Sequence, residues 1–245
     1  MPGMSRPLTT NAGFSLVELA VVLVIVALLT GGLLLGVTAQ RNAAEVVDAR
    51  ARLDVIREAL LGYAMANGRL PCPAPGNLAT GNPAAGVAPP PPCTGLLQYG
   101  VIPWVTLGIL ETDPWGNRFT YFVSSKFSGP FLAGSQASFS LNTGSPDAVP
   151  PDNAGTANVK EIYSSGANIA SDLPAVVLSH GSRSAGAWRP DGTRQPFSAD
   201  LNELENSDDD LTFVSRTSSD AFDDLLIWVP ATILKAKMVA VGRLP

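Results

Sequence analysis

One long apolar stretch limits the folds open to this chain more than any other feature of its sequence. Residues 14–39 contain a single charged side chain, Glu18, in 26 positions. About 20 apolar residues cross a bilayer as a helix, so this stretch is long enough to span one. A secretory signal has a shorter apolar core, and small residues at its cleavage site follow that core. Here the small residues Asn11, Ala12 and Gly13 come before the apolar stretch, so cleavage beside them would leave the helix on the mature chain.

The carboxylate at the start of this stretch carries the most specific signal. A charged side chain in a membrane segment costs roughly 2.5–3.5 kcal/mol on insertion scales and marks a functional position. The sequence GFSLVE, from Gly13 to Glu18, is followed by about 20 apolar residues. It resembles the class III leader of type IV pilins and of type II secretion pseudopilins. The alternative is a signal anchor with a chance glutamate, which the fixed spacing of these features disfavours.

The resemblance implies how the chain is processed and where it goes. A prepilin peptidase would cleave between Gly13 and Phe14 and methylate the new amine of Phe14. Glu18, then the fifth residue, would pair with the Phe14 amine of a neighbouring subunit during filament assembly. The protein would cross the bacterial inner membrane once, with a cytoplasmic N-terminus and a periplasmic head, before entering a periplasmic pseudopilus or an extracellular pilus. Its expected partners are the peptidase, the lipid bilayer, the inner-membrane assembly platform and other pilin subunits, contacted through the N-terminal helix.

Residues 40–67 are expected to continue the same helix with an amphipathic pattern. Apolar side chains recur at spacings of three and four, which predicts one buried stripe. The stripe consists of Val46, Ala49, Leu53, Ile56, Leu60 and Tyr63. Asp48–Arg52 and Arg50–Asp54 have the i,i+4 spacing of ion pairs on the opposite face. Asn67 followed by Gly68 predicts the end of the helix.

A loop rich in proline, glycine and alanine occupies residues 68–98 and contains both cysteines. In an exported chain two cysteines indicate one disulfide, here Cys72–Cys93. Such a bridge closes a loop of about 20 residues and would contribute roughly 3 kcal/mol on the chain-entropy model. The alternative is a pair of free thiols, and the spacing excludes a CxxC site.

The remaining residues, 99–245, predict a β-rich globular head. Asp113-Pro114-Trp115-Gly116-Asn117 has turn chemistry, and it precedes an alternating aromatic strand at 118–124. This segment is similar to the one that opens the sheet of the major pseudopilin of type II secretion. Further strands are predicted at 138–141, 158–163, 173–180, 211–216 and 225–229, with a helix at 230–241 that starts at Pro230. The predicted fold is α+β and pilin-like, with one long N-terminal helix packed on an antiparallel sheet.

The search for catalytic residues finds no convincing set, and we expect no enzymatic activity. His180 is the single histidine, and a Ser/His/Asp set would need it together with Ser179, Ser182 or Ser184 and Asp191. The segment GSRSAG after it does not fit the G-x-S-x-G elbow of the serine hydrolases. We expect His180 to be a structural residue at a strand end, held by a backbone partner. Glycine-rich phosphate loops and zinc-ligand spacings do not occur in the sequence.

An acidic segment gives the one candidate metal site. Calcium takes six to eight oxygen ligands, and this segment could supply several. The residues are Asp200, Glu203, Glu205, Asp208, Asp209 and Asp210. The major pseudopilins of type II secretion hold calcium in a comparable loop, but their glycine-rich pattern is absent here, so a solvated acidic loop is favoured. Asp223 and Asp224 are expected to form a turn or cap.

The predicted function is structural, that of a filament subunit. The head is larger than a compact major pseudopilin needs, which favours a minor subunit of a type IV pilus or a type II secretion filament. A net charge of −5 argues against a nucleic-acid partner, since such surfaces need clustered Lys and Arg. Two alternatives stay open: an adhesive pilin at a filament tip that binds through the Cys72–Cys93 loop, and a membrane-anchored hydrolase that uses His180.

Overall fold

The computed structural model describes residues 15–143, 156–164 and 166–245, with side chains 30–39 left out. The chain divides into two units, one ending at Ala44 and the other running from Glu45 to Pro245. Helix α1, Leu16–Asn67, contributes residues to both units. Among the described residues, no helix combines the length and the apolarity that are needed to traverse a bilayer.

The amphipathic part of α1 ends where the sequence predicts. Gly68 adopts a positive φ of 71°, and its N–H donates to the carbonyl of Ala64 at 2.8 Å. This left-handed geometry is a common helix C-terminus, and it favours glycine because a side chain strains it. The predicted stop at Asn67-Gly68 is therefore confirmed.

The predicted stripe on α1 is confirmed at its centre. Four of its six members are buried: Ala49, Leu53, Ile56 and Leu60. Leu61 and Ala64 are buried as well, which widens the stripe towards the end of the helix. On the exposed side Arg52 pairs with Asp48 at 2.7 Å as predicted, whereas Asp54 pairs with Arg57 at 2.9 Å.

The described residues of the head form two sheets. Its strands are β1 (Tyr99–Val101), β2 (Thr120–Val123), β3 (Ala157–Lys160), β4 (Asn168–Leu173), β5 (Ala175–Ser179), β6 (Thr212–Val214) and β7 (Leu225–Val229). The larger sheet has the order β1-β2-β5-β7 and is antiparallel throughout. The smaller sheet has the order β4-β3-β6, and its β3–β6 pair is parallel. The prediction of an antiparallel sheet is thus right for the larger sheet and wrong for this pair.

Short helices complete the head. They are α2 (Trp104–Leu107), α3 (Ser125–Ser128), α4 (Leu201–Glu205), α5 (Ala231–Ala240) and a 3₁₀ turn at Gly95–Gln98. Pro230 was predicted to be the first helical residue of α5. In the structure it is the N-cap, one position earlier. It has an extended ψ of 135°, which fits a cap better than the first turn.

The larger sheet is covered on both faces, so its central strands are buried along their whole length. On β2, Tyr121 and Val123 pack with α1 residues such as Leu53 and Ile56. Phe122, which points to the opposite face of the same strand, packs with the second sheet at Phe213. Successive strand residues point to opposite faces, so β2 contributes side chains to two separate hydrophobic cores.

One predicted strand is absent, and one observed strand was not predicted. Residues 138–141 form no strand, because their backbone bonds locally and to other segments: the Ser138 N–H donates to the Gly68 carbonyl at 2.9 Å, and the Ser140 N–H donates to Thr143 Oγ1 at 3.0 Å. Strand β4, Asn168–Leu173, was missed because its residues are mostly exposed and lack a clear alternation. The strand after the Asp-Pro-Trp-Gly-Asn turn does not open the sheet, since β1 precedes it.

A buried arginine fastens the cysteine loop to the head. Arg118 is fully buried, and its guanidinium lies 4.7 Å above the ring of Trp104. It donates to six acceptor contacts: Glu111 Oε1 at 2.9 and 2.8 Å, the carbonyls of Gly76 at 2.8 Å, Leu78 at 2.7 Å and Pro190 at 3.2 Å, and Thr80 Oγ1 at 3.2 Å. The loop lacks regular structure, so these side-chain bonds satisfy carbonyls that a ladder would otherwise satisfy.

Candidate functional site

The first turns of α1 present an apolar surface to solvent. All described side chains from 15 to 29 are exposed, and the large hydrophobic ones range from 49% exposure at Val22 to 85% at Leu16. Large contiguous apolar surfaces on a protein mark sites that contact another protein or a membrane. This part of the helix therefore needs a covering partner.

Glu18 is the one charged residue of this exposed apolar surface. Its Oε2 accepts the backbone N–H of Ser15 at 3.2 Å. The carboxylate therefore lies at the N-terminal end of the helix, where the helix dipole favours negative charge. The arrangement places one anionic group at the end of an apolar surface, where it can attract a cation.

The comparison with known families identifies this segment. Residues 8–34 match the family model described as the prokaryotic N-terminal methylation motif. The chain carries the class III prepilin leader. This is the leader of type IV pilins and pseudopilins, and the match covers residues 8–34 of the 245-residue chain. Neither a curated protein nor a solved structure gives a significant match.

The prepilin leader implies processing and assembly. It implies cleavage by a prepilin peptidase, anchoring in the inner membrane and assembly with other pilin subunits. Gly13 and Phe14, which flank the predicted cleavage site, lie outside the described residues. Cleavage after Gly13, methylation of Phe14 and pairing of Glu18 with a neighbouring amine stay predictions.

In the head, the Asp-Pro-Trp-Gly-Asn segment is a tight turn closed by its own carboxylate. Asp113 Oδ1 accepts the N–H groups of Trp115 at 3.0 Å and Asn117 at 2.9 Å. Its Oδ2 accepts the Ser179 hydroxyl at 2.6 Å, which ties the turn to the end of β5. Burial raises the pKa of Asp113, and the hydrogen bond from Ser179 opposes that rise. The segment has a structural role that anchors two strands.

His180 directly follows β5 and is fully buried. Its Nε2 is 2.8 Å from the hydroxyl oxygen of Thr120, so the ring partner is a side chain and not the backbone group that we expected. Burial lowers the pKa of His180 to about 3, because a desolvated imidazolium is unfavourable. The imidazole is thus neutral at physiological pH.

The serines around His180 have partners elsewhere. Ser182 Oγ donates to Asp223 at 2.8 Å, and Ser184 Oγ accepts from Asn117 at 2.7 Å. Asp191 bonds to Thr193 two residues away. These contacts do not form the Ser/His/Asp chain that nucleophilic catalysis requires.

The six acidic residues of the predicted calcium loop are separated by the fold. Asp200 is the N-cap of α4 and accepts the N–H groups of Asn202 and Glu203. Asp209 pairs with Arg194 at 3.2 Å. The buried Glu205 and the exposed Asp208 and Asp210 form one carboxylate group. The segment is thus part helix and part turn, and its acids have different roles.

The sixth acid, Glu203, joins a cluster that the sequence did not indicate. It points inward from α4 and is fully buried. Together with Asp223 and Asp224, from the segment before β7, it forms a second group of carboxylates. Burial raises the pKa of Asp224 well above its usual range. Asp223 and Asp224 were expected to form a turn or cap, and no periodicity links them to Glu203 or His180.

The structure joins Cys72 and Cys93 by a disulfide with Cα atoms 5.6 Å apart. Both cysteines are buried in the core that α1 shares with the larger sheet. The loop between them is therefore held at both ends by the core. Arg118 provides a third attachment, which sequence reasoning missed because an isolated arginine at a strand start is normally solvated.

Proposed function

We propose that this chain is a minor, low-copy subunit of a type IV pilus or type II secretion filament. The observation that carries the proposal is the exposed apolar surface of residues 16–29, with Glu18 as its one charge. In a filament this surface packs against the helices of neighbouring subunits, which removes it from water. Before assembly the bilayer covers it.

Glu18 acts between subunits in this proposal. Burying a lone carboxylate is very unfavourable, so Glu18 needs a positive partner once the helices pack. The freed amine of Phe14 on the neighbouring subunit provides that partner. The pair fixes the axial position of each incoming subunit, since other registers leave one charge buried alone.

The head supports a minor role by its size and its elaboration. It carries a second sheet and a disulfide-closed loop in addition to the sheet that packs on α1. Such additions suit a subunit that occurs once or a few times and contacts other components. The alternative of an adhesive tip subunit uses the same filament contacts and differs in what the loop binds.

The decisive experiment compares Glu18→Ala with Glu58→Ala. Glu58 is an exposed glutamate of the same helix outside the apolar surface, so it controls for loss of a carboxylate. We expect Glu18→Ala to be expressed, inserted and cleaved normally but to enter filaments poorly, whereas Glu58→Ala assembles. Equal incorporation of both variants would refute the role assigned to Glu18.

Processing is tested separately by intact mass. The membrane-extracted protein should begin at methylated Phe14, and Gly13→Ala should accumulate as the uncleaved form. A mature chain that starts at Met1 would contradict the proposal. For the hydrolase alternative, His180→Gln would abolish an activity that Glu18→Ala leaves intact.

A further inference from the structure

Within the described part of the chain, five buried polar atoms without a hydrogen-bond partner lie at one end of the larger sheet. They are His180 Nδ1, both carboxylate oxygens of Glu203, and the Oδ1 atoms of Asp223 and Asp224. Ligand oxygens of the three acids lie within 4.8 Å of one another. Opposite ligands of a cation with bonds of about 2.1–2.4 Å are separated by about 4.2–4.8 Å. The oxygens of the three acids therefore have the spacing of one coordination shell, and His180 Nδ1 adjoins them, 3.8 Å from Asp224 Oδ1.

Both aspartates are oriented by neighbours that leave one oxygen free. Asp223 Oδ2 accepts the Ser182 hydroxyl at 2.8 Å and the Arg183 N–H at 3.0 Å. Asp224 Oδ2 accepts the side-chain amide of Asn206 at 2.8 Å. Outer partners of this kind hold metal-binding carboxylates in place. In each case the free oxygen is buried.

Asn206 is itself held in place by β6. Its amide nitrogen donates to the Val214 carbonyl at 3.0 Å, and its oxygen accepts the Val214 N–H at 2.8 Å. Gly181 allows the chain after β5 to approach closely: a Cβ there would lie 2.5 Å from Asp223 Cγ. These contacts fix the group on rigid elements.

The imidazole gives an independent indication of a ligand. His180 Nδ1 lies 3.8 Å from Asp224 Oδ1, beyond hydrogen-bond distance. If Nε2 donates to Thr120, Nδ1 has its lone pair towards the carboxylate, and two acceptors face each other in a buried site. A cation between them turns this repulsion into two bonds. A hydrogen bond from the other ring nitrogen is the usual companion of a metal-bound imidazole.

The charges around the group also balance. In the ionised form that metal binding requires, the three carboxylates contribute three negative charges, and Arg183, 3.6 Å from Glu203 Oε2, returns one positive charge. The remaining two negative charges lie in a region from which Glu203 and Asp224 have almost no access to water. Buried charges need a partner or a metal, and a divalent cation supplies the missing charge.

We propose that His180, Glu203, Asp223 and Asp224 bind one divalent cation that fastens α4 to the end of the larger sheet. Of the six acids in the sequence-based calcium loop, only Glu203 takes part. Imidazole suits zinc, carboxylates suit manganese and calcium, and this site combines one imidazole with three carboxylates. The site therefore prefers Mn²⁺ or Zn²⁺ to Ca²⁺.

The test uses the full-length protein in detergent, stripped with EDTA and titrated with Mn²⁺, Zn²⁺ or Ca²⁺. Thermal unfolding is followed by tryptophan fluorescence, and bound metal is measured by mass spectrometry. We expect about one Mn²⁺ or Zn²⁺ per chain. A cation at 100 times its Kd should raise the folding equilibrium constant about 100-fold. No bound metal and no shift at millimolar concentrations would overturn the proposal.

Variants locate the site. Asp224→Asn and Glu203→Gln should each weaken binding at least about tenfold, and two variants guard against one that fails to fold. His180→Gln should weaken Mn²⁺ and Zn²⁺ more than Ca²⁺. The matched control is Asp208→Asn, in the other carboxylate group, which should bind as the native chain does. An undiminished shift in both acid variants, or a shift lost in Asp208→Asn, would refute the assignment.

Discussion

Replacement of Arg118 by methionine tests how the cysteine loop is held. Methionine keeps much of the length and removes the guanidinium. It deprives Glu111 of its ion pair at 2.8 Å, and it leaves the buried carbonyls of Gly76 and Leu78 without these donors. Breaking a buried ion pair costs about 3–5 kcal/mol. Glu111 is partly exposed, with 19% of its side chain accessible, so water screens part of its loss.

We therefore expect Arg118→Met to lower the free energy of unfolding by about 3–4 kcal/mol, with the unsatisfied carbonyls contributing about as much as the ion pair. Arg118→Lys keeps the positive charge, but an ammonium group cannot reproduce the several hydrogen bonds of the planar guanidinium. We therefore expect it to lower the free energy of unfolding by about 2 kcal/mol. Glu111→Gln should cost about 1 kcal/mol, since the bonds from Arg118 to the loop carbonyls remain.

The assay is denaturant unfolding followed by tryptophan fluorescence. All four tryptophans lie between residues 104 and 228, so the signal reports on the head. Arg50→Met, at an exposed position, is the control and should change stability by less than about 0.5 kcal/mol. A loss under about 1 kcal/mol in Arg118→Met, or strict additivity of Arg118→Met and Glu111→Gln, would refute the argument.

Three further predictions use other contacts of the head. Gly68→Ala should lower the free energy of unfolding by more than about 1 kcal/mol, because φ is positive and the added Cβ would lie 2.1 Å from the Gln136 carbonyl oxygen. The control Gly62→Ala has no atom near its added Cβ and should raise the free energy of unfolding by about 0.4–1 kcal/mol. Equal effects of the two variants in denaturant unfolding would contradict this prediction. Burial raises the pKa of Glu205 from 4.5 to about 7, so ionisation of this carboxyl destabilises the folded state. This loss of folding stability is absent below about pH 4.5 and complete above about pH 7. The free energy of unfolding of Glu205→Gln should thus exceed that of the native chain by on the order of 1 kcal/mol at pH 8 and equal it at pH 4. A difference that does not change with pH would argue against the raised pKa of Glu205. Non-reducing peptide mapping should recover Cys72 joined to Cys93, and the double serine variant should lose about 3 kcal/mol; free thiols on the exported protein would rule out the bridge there.

The sequence determined the features that depend on neighbours along the chain. The leader motif and the apolar stretch are contiguous, so the match to the N-terminal methylation motif rests on residues 8–34 alone. The helix stripe and its end at Gly68 follow from helical periodicity and from glycine's access to positive φ. The strand Leu225–Val229 and the Asp113 turn follow from residue types within five positions.

The tertiary structure decided everything that joins distant segments. The parallel β3–β6 pair brings together residues more than fifty positions apart, and sequence alternation does not encode the partner or direction of a strand. Strand β4 is exposed and lacks a pattern, so only its pairing with β3 defines it. The sequence also did not predict that the acidic residues would separate. Helix α4 turns Glu203 inward, while Asp208 and Asp209 stay at the surface.

The proposed cation site shows the physical reason most clearly. His180, Glu203 and Asp224 are each about twenty residues from the next along the chain, and no local rule relates them. They meet because β5 and β7 are antiparallel neighbours with Ser179 opposite Leu225, which places the end of one strand beside the start of the other. Residue types close together in the sequence are enough to predict the leader and the helix. Strand pairing and burial determine which polar groups come together in a site that excludes water.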